Sequence, residues 1–395
     1  MMNFVFISPH FPKVYWNFCD RLKRNGVNVL GVADVPYDEL SGELKAALTE
    51  YYRVDDLEDY DQVFRALAFF TFQYGKIDWV ESNNEYWMEQ DARLRTDFNI
   101  CTGPKLDEVT AYKSKSAMKA FYKQAGVPCA RYHMARSCPD ALEFVRQVGY
   151  PIIVKPDVGV GASATYRLSS DEELSRFFEH LPEQPYIMEE FIRGEIYSYD
   201  GISDSRCTPL FEALNCFPQP IMDVVNRQDS LTYYSIPQVP QALREVGRRT
   251  LKAFGSKNRF FHLEFFKLLE DKEGLGKAGD FVALEVNMRP AGGYTPDMID
   301  FANSVDVYQI FADMAAFDEC RQKLDGEKFY CVYSSRRDAR SYRHSHEEIL
   351  SRYGGRIVMQ ERMPAVLATA MGDQMYTAKL PTYDQMQEFI AFVQE

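Results

Sequence analysis

"FVALEVNMRPAGGYTP", Phe281 to Pro296, is the stretch on which the fold turns. Its first half alternates as a strand does, with Phe281, Ala283, Glu285 and Asn287 on one side and Val282, Leu284, Val286 and Met288 on the other. That spacing predicts one buried apolar face and, on the opposite face, a carboxylate and an amide two residues apart. Upstream, "RFFHLEFFKLL" repeats the pattern, with Phe261, Leu263 and Phe265 on one face and His262 and Glu264 on the other. The charged, glycine-containing "EDKEGLGKAGD" between them reads as a hairpin loop. Pairing across it can set Glu264 opposite Glu285, and like charges facing each other destabilise a strand pair. A hard divalent cation resolves the conflict, because Mg²⁺ takes carboxylate, amide and phosphate oxygens. The plain alternative is a solvated face on which each acid meets only water.

The whole chain sets bounds on that reading. Its 395 residues allow two or three packed domains, and 46% hydrophobic with 26% charged residues is ordinary for a globular protein. A net charge of −13 argues against non-specific nucleic-acid binding, which needs a broad basic surface, yet leaves room for a local positive pocket. The eight cysteines show no CxxC pair or metal spacing and read as reduced thiols. "MMNFVFISPHFP" lacks a basic leader and reads as a first strand, and "ALAFFTF" is too short to span a membrane. The expectation is a cytoplasmic protein with no membrane or nucleic-acid partner.

Residues 1–110 alternate strands ("FVFIS", "VNVLGVA", "IDWVES") with helices ("KVYWNFCDRLKRNG", "SGELKAALTEY", "YDQVFRALAFFTFQYG"), which predicts an α/β domain with a doubly wound parallel sheet. Ligands in such sheets sit beyond the carboxyl ends of strands, so the loop Ser8 to Lys13 and the turn Ser82 to Tyr86 are candidate substrate contacts. Glu85, beside Asn83 and Asn84, is the candidate receiver of an amino or hydroxyl group; ordinary capping chemistry is the alternative. No GxGxxG follows the first strand, which disfavours hydride transfer on a dinucleotide.

Next, Lys115, Met118, Phe121 and Tyr122 fall at helical spacing, ended by Gly126. A buried-type strand then ends at Lys155-Pro156, followed by a loop with Gly159, Gly161 and Ser163 and a returning strand. Glycines there let backbone N–H groups approach phosphate oxygens, as in a flap over a triphosphate; a plain glycine hairpin reads equally well. "YIMEEFIRGEIYSYDGI" is a strand running into Glu189 and Glu190, then Phe191-Ile192, a turn and a second strand, able to offer backbone groups to a purine edge. From Gly326 on, three strands and two helices read as a small α+β cap, with His344 and His346 as exposed polar residues rather than metal ligands.

In this order the pieces resemble the ATP-grasp superfamily, the fold of carboxylate–amine ligases such as D-alanine–D-alanine ligase, glutathione synthetase, biotin carboxylase and carnosine synthase. The order is a helix lysine, a strand lysine with a glycine flap, an acid-acid-apolar hinge, a strand glutamate and a strand reading Glu-x-Asn-x-Arg. The resemblance covers about Ala111 to Met314. It implies a preceding α/β domain (1–110), an ATP-grasp domain of two α+β lobes clamping ATP (111–325, lid about 115–200) and the carboxy-terminal cap (326–395).

It also implies roles. Lys115 and Lys155 would hold the phosphates, with Gly159, Gly161 and Ser163 as the flap. Glu189 and the backbones of Glu190 and Ile192 would form the adenine hinge. Glu264, Glu285 and Asn287 would bind two Mg²⁺ ions, with Mn²⁺ as the alternative metal. Arg289 would steady the transferring phosphoryl group, and Gly292-Gly293 would meet the acid substrate. The family's ribose-binding acid falls at Ile196, one residue after Glu195, so Glu195 takes that role only if the strand bulges. Ser114 replaces the frequent acid before Lys115.

The activity implied is an ATP-dependent ligase that makes an acyl phosphate from a carboxylate, then an amide with an amine, releasing ADP and phosphate. A carboxylase or other small-metabolite ligase of the same superfamily is the alternative, as is a non-catalytic ATP-binding regulatory protein. Its partners are small carboxylates and amines. Dimers are common among proteins of this kind.

Overall fold

Alternation of apolar runs with amphipathic helices builds a parallel sheet at the start of the chain. The computed structural model describes residues 1–159, 164–219, 224 and 227–395. Strands β1 (Asn3–Ile7), β2 (Asn28–Ala33), β3 (Glu50–Arg53) and β4 (Trp79–Glu81) lie in the order β3-β2-β1-β4, all parallel. Side chains alternate between two cores: Phe4, Phe6 and Val29 meet Phe18 and Leu22 of one helix, while Val5, Ile7 and Leu30 meet Val63, Leu67 and Phe70 of another. Covering both faces is what a parallel sheet requires. The helix expected through "SGELKAALTEY" stops at Ala47, and Glu50–Arg53 becomes β3. Tyr51 and Tyr52 favour extended backbone, and the slot beside β2 supplies their hydrogen-bond partners.

A second sheet, β5 (Tyr132–Met134), β8 (Tyr186–Glu190), β6 (Ile152–Pro156) and β7 (Tyr166–Leu168) in that order, is antiparallel. One face packs Ile152, Val154 and Met188 on Ala141, Phe144 and Leu174 of two helices. The alternate positions, including Lys155 and Glu189, point the other way.

The third sheet has eight strands among the described residues: β9 (Gly194–Ser203), β10 (Pro209–Phe217), β11 (Thr232–Ser235), β12 (Arg259–Leu268), β13 (Phe281–Asn287), β14 (Tyr330–Arg336), β15 (Ile357–Arg362) and β16 (Gln374–Leu380). Their order is β13-β12-β9-β10-β11-β14-β16-β15, every pair antiparallel. The carboxy-terminal region is α+β as expected, but its strands extend this sheet through the β11–β14 pairing instead of forming one of their own.

The β12–β13 hairpin departs from the expected unbroken alternation. His262, Leu263 and Glu264 oppose Asn287, Val286 and Glu285, but the next residue, Phe265, opposes Ala283. Leu284 is the extra residue of a β-bulge, which reverses the facing of everything before it. Phe281 and Ala283 therefore join Val286 and Met288 in one core, and Glu285 and Asn287 face away from it.

Candidate active site

Between β9 and β12 the pairing runs without interruption from Arg259 opposite Ser203 to Leu268 opposite Gly194. Residues paired across strands share a face, so Ile196, Ser198, Asp200, His262, Glu264, Phe266, Glu285 and Asn287 look out together. This corrects the expectation for Glu195. No bulge turns it, so it lies on the opposite face from the metal-type carboxylates, where Tyr197 Oη donates to it at 3.3 Å.

The side chains of Glu264 and Glu285 are 23% and 19% exposed, and Asn287 is buried. Burial and the charge of Glu264 hold Glu285 above the ordinary carboxylate range despite Lys115, whose Nζ is 3.2 Å from its Oε1. Burial pushes Glu264 up as well, but His262, with Nε2 at 3.3 Å, brings it below the ordinary range. For His262 itself burial opposes the charge, and Asp200 Oδ1 at 2.6 Å from Nδ1 outweighs it, raising its pKa to about 10. Asp200 is held by Ser198 and by Asn215 Nδ2 at 2.8 Å, and Ser235 Oγ donates to Asn215 at 2.5 Å. A buried polar chain thus ends on Glu264.

The helix Lys115–Ala125 packs Met118 and Tyr122 into the core behind the sheet, with Val286 and Met288, and the same buried stripe carries Lys115 and Lys119, of which Lys115 reaches Glu285. Ser114 caps it, accepting from Ala117 N at 3.1 Å and donating to Asp157 Oδ2 at 2.7 Å, while Ser116 N donates to Asp157 Oδ1 at 2.7 Å. Those bonds tie the helix start to the end of β6 and give Ser114 a role that an acid, facing Asp157, would disrupt. Lys115 Nζ also donates to Gly159 O at 3.2 Å. Gly161 and Ser163 lie outside the described residues.

From the second sheet, Lys155 Nζ is 2.7 Å from Glu189 Oε2, and Lys119 pairs with the other oxygen. Burial alone would raise Glu189; the two lysines hold it down to about 2. Glu190 turns elsewhere, taken by Arg131 Nη2 at 2.7 Å and Lys272 Nζ at 3.5 Å. Ile192 packs with Ala130, Leu268, Leu275 and Val282, with Phe266 alongside, so an apolar wall stands next to the Glu189–Ile192 segment.

The amino-terminal sheet closes the third side. The loops after β1 and β4 each turn through a left-handed residue, Ser8 (φ 55°) and Asn83 (φ 54°), and Tyr15 Oη donates to Asn83 O at 2.8 Å. Glu85 meets Arg289, which donates to it through Nη2 and, at 3.1 Å, through Nε. Two residues singled out separately in the sequence thus form one ion pair between the turn after β4 and the segment after β13. Behind it, Glu81 at the end of β4 accepts from Arg95 at 2.9 Å and Arg259 at 3.0 Å, and Arg259 Nη1 donates to Met288 O at 3.1 Å. This buried cluster anchors the backbone just before Arg289. Gly293 has φ 65°, and a Cβ there would come within 2.6 Å of Met371 Cε, so the carboxy-terminal helix Ala365–Met371 covers the Gly292-Gly293 turn.

Lys119, Asp200 and Arg259 were missed in the sequence, and His262 was placed beside Glu264 without a role. Lys119 carried a signal, being a lysine one turn from Lys115 inside an apolar stripe; the buried role of Arg259 carried none. His344 stacks on Phe392 and His346 Nδ1 lies 2.8 Å from Tyr376 Oη, so the two do not converge. Among the described residues no three His, Cys, Asp or Glu side chains form a closed metal cage, and no helix is long and apolar enough to cross a membrane.

Residues 114–186 match the family described as carbamoyl-phosphate synthase L chain, ATP binding domain. The L-arginine-specific L-amino acid ligase of Bacillus subtilis is 23% identical over 281 residues, 67% of this chain and 64% of that protein, so the chain matches just under two thirds of this relative's length. Among solved structures, L-amino acid ligase from Bacillus licheniformis superposes with a TM-score of 0.72 at 14% identity, covering 100% of this chain and 97% of that one. The biotin carboxylase domain dimer of Hydrogenobacter thermophilus 2-oxoglutarate carboxylase, solved with MgADP, ADP and bicarbonate, gives 0.69 at 15% identity, covering 97% of this chain and 88% of that one. The chain has the ATP-grasp fold.

Proposed function

We propose that this chain is an ATP-dependent carboxylate–amine ligase acting on small molecules. The observation that carries the reading is the opposed pair Glu264 and Glu285 on one sheet face, ringed by Lys115, Lys155 and Arg289. Two carboxylates and the amide of Asn287 make an open oxygen set, which suits Mg²⁺ because that ion completes its shell with phosphate oxygens. Held there, two such ions would supply charge neutralisation along the triphosphate.

The chain's own residues do the rest. Lys115 and Lys155 draw the phosphates into the cleft, and the wall of Ile192, Val282, Leu268 and Phe266 takes the purine. The substrate carboxylate attacks the γ-phosphorus in line, the bond to ADP breaks, and an acyl phosphate forms. Arg289 offsets the negative charge on the transferring group. The amine nitrogen then attacks the acyl carbon, the carbon–oxygen bond to phosphate breaks, and one proton is released. The segment around Gly159 and the second sheet keep water from the acyl phosphate.

The Glu85–Arg289 pair supports an amino-bearing acid as substrate, since an ammonium and a carboxylate can replace each half of that pair. The test is a matrix of acids against amines with ATP and Mg²⁺, scored by ADP release and product mass. An amide with stoichiometric ADP and phosphate is expected. Failure to release either with any pair would refute the ligase, and release that depends on bicarbonate would transfer the chain to the carboxylase alternative.

A further inference from the structure

Among the described residues the site holds a buried lysine that the proposed chemistry leaves without a task, Lys119. Lys115, Lys119 and Lys155 are 5%, 5% and 7% exposed. Lys115 faces Glu285, whereas Lys119 and Lys155 divide the two oxygens of Glu189 between them. Glu189 is 5% exposed, so a triphosphate that draws Lys155 away takes one of the two cations from a buried carboxylate. A buried carboxylate that loses its partner is strongly unfavourable. Among the described residues the only cations paired with Glu189 are these two lysines, because Arg131 and Lys272 belong to Glu190.

Lys119 is placed to remain. It sits in the buried stripe of the helix, one turn from Lys115, and its Nζ lies 5.8 Å over the ring of Tyr132. Tyr132 is the residue of β5 paired directly with Glu189, so the aromatic face and the carboxylate approach Lys119 from the same sheet. Helix and sheet together hold the ammonium where it is.

We propose that Lys119 is a positioning residue for nucleotide binding: it keeps Glu189 neutralised while Lys155 exchanges that carboxylate for the triphosphate. Without Lys119, Lys155 is the sole partner of Glu189 and is retained by it. The inference rests on the reading above only in taking the triphosphate into this cleft, not on the identity of the acid or amine.

A double-mutant cycle tests it. Binding of a non-hydrolysable ATP analogue with Mg²⁺ is measured by calorimetry for the full chain, Lys119→Met, Glu189→Gln and the double variant, with Lys155→Met as reference. Lys119→Met should weaken binding on the order of 30-fold. In the Glu189→Gln background the same change should cost less than about 3-fold, because no carboxylate is left to trap Lys155. Loss of fold alone would not produce that dependence on Glu189. Should Lys119→Met be too unstable to measure, Lys119→Gln replaces it, and the same dependence of the loss on Glu189 is expected. Binding by Lys119→Met equal to the unmodified chain, or an equal loss in both backgrounds, would overturn the proposal; the second result would mean that Lys119 holds the nucleotide itself. If Lys155→Met also binds normally, the triphosphate reading fails with it. If Lys155→Met alone weakens binding, only the role of Lys119 is lost.

Discussion

Replacing Glu189 by Gln in the ligand-free chain keeps the shape of the side chain and removes the charge that two buried lysines share. The size of the effect follows from the site. Burial by itself would raise the pKa of Glu189 from its ordinary 4.5, yet Lys119 and Lys155 bring it to about 2. That difference corresponds to about 3 kcal/mol of folded-state stability at neutral pH. A buried pair broken by removing one partner costs about 3–5 kcal/mol, so the two routes agree. The sign fixes the pH window. A carboxylate with a depressed folded pKa contributes its full stability above the unfolded value of 4.5, and loses it as pH falls toward 2. Urea unfolding of the chain and of Glu189→Gln should therefore differ by about 3 kcal/mol at pH 7 and by only about 2 kcal/mol at pH 3.5. A difference under about 1 kcal/mol at pH 7, or one that grows on acidification, would refute the claim that this carboxylate is a structural counter-ion.

Two further substitutions separate binding from turnover: Lys155→Ala should weaken ATP binding measured by calorimetry, while Arg289→Ala should slow ADP release on the order of 100-fold with nucleotide affinity near that of the unmodified chain. Gly293→Ala should cost roughly 1–3 kcal/mol in thermal unfolding, since φ is 65° and Met371 Cε stands 2.6 Å from the new Cβ. Adding Met371→Ala should recover only the steric part of that loss.

Architecture was legible where period and punctuation agreed. Three of the four strands of the first parallel sheet, the helix that carries Lys115 and the β12–β13 hairpin follow from spacing, whereas β3 lay partly in a stretch read as helix. The bulge at Leu284 did not, because inserting one residue changes no local propensity; it is decided by what each face must bury. The hidden bulge makes Phe281 and Ala283 core residues, whereas simple alternation put them with Glu285. Glu195 shows the converse, since a bulge was needed for it to reach the site and the β9–β12 pairing contains none. Lys119 and Arg259 escaped for another reason. A buried charge is stable only through partners distant in sequence, here Glu189 and Glu81 at separations of 70 and 178 residues, and no short motif records such partners.

Among the described residues each cation of the site has a carboxylate: Lys115 has Glu285, Lys119 and Lys155 share Glu189, Arg289 has Glu85 and His262 has Glu264. Ligand binding is therefore partner exchange, and each exchange strands an acid unless something replaces the departing cation. For Lys115 the stranded acid is Glu285, which already faces Glu264 and is already pushed above the ordinary carboxylate range. A divalent cation is the natural replacement, so metal and nucleotide should bind with positive coupling. Removing divalent ions with a chelator should weaken nucleotide binding beyond what the charge of the triphosphate accounts for. Glu285→Gln isolates that excess: with no charge to strand, the ratio of nucleotide affinities with and without Mg²⁺ should shrink on the order of 10-fold. An unchanged ratio would mean that Lys115 never leaves Glu285, and that the two opposed acids hold no ion against the nucleotide.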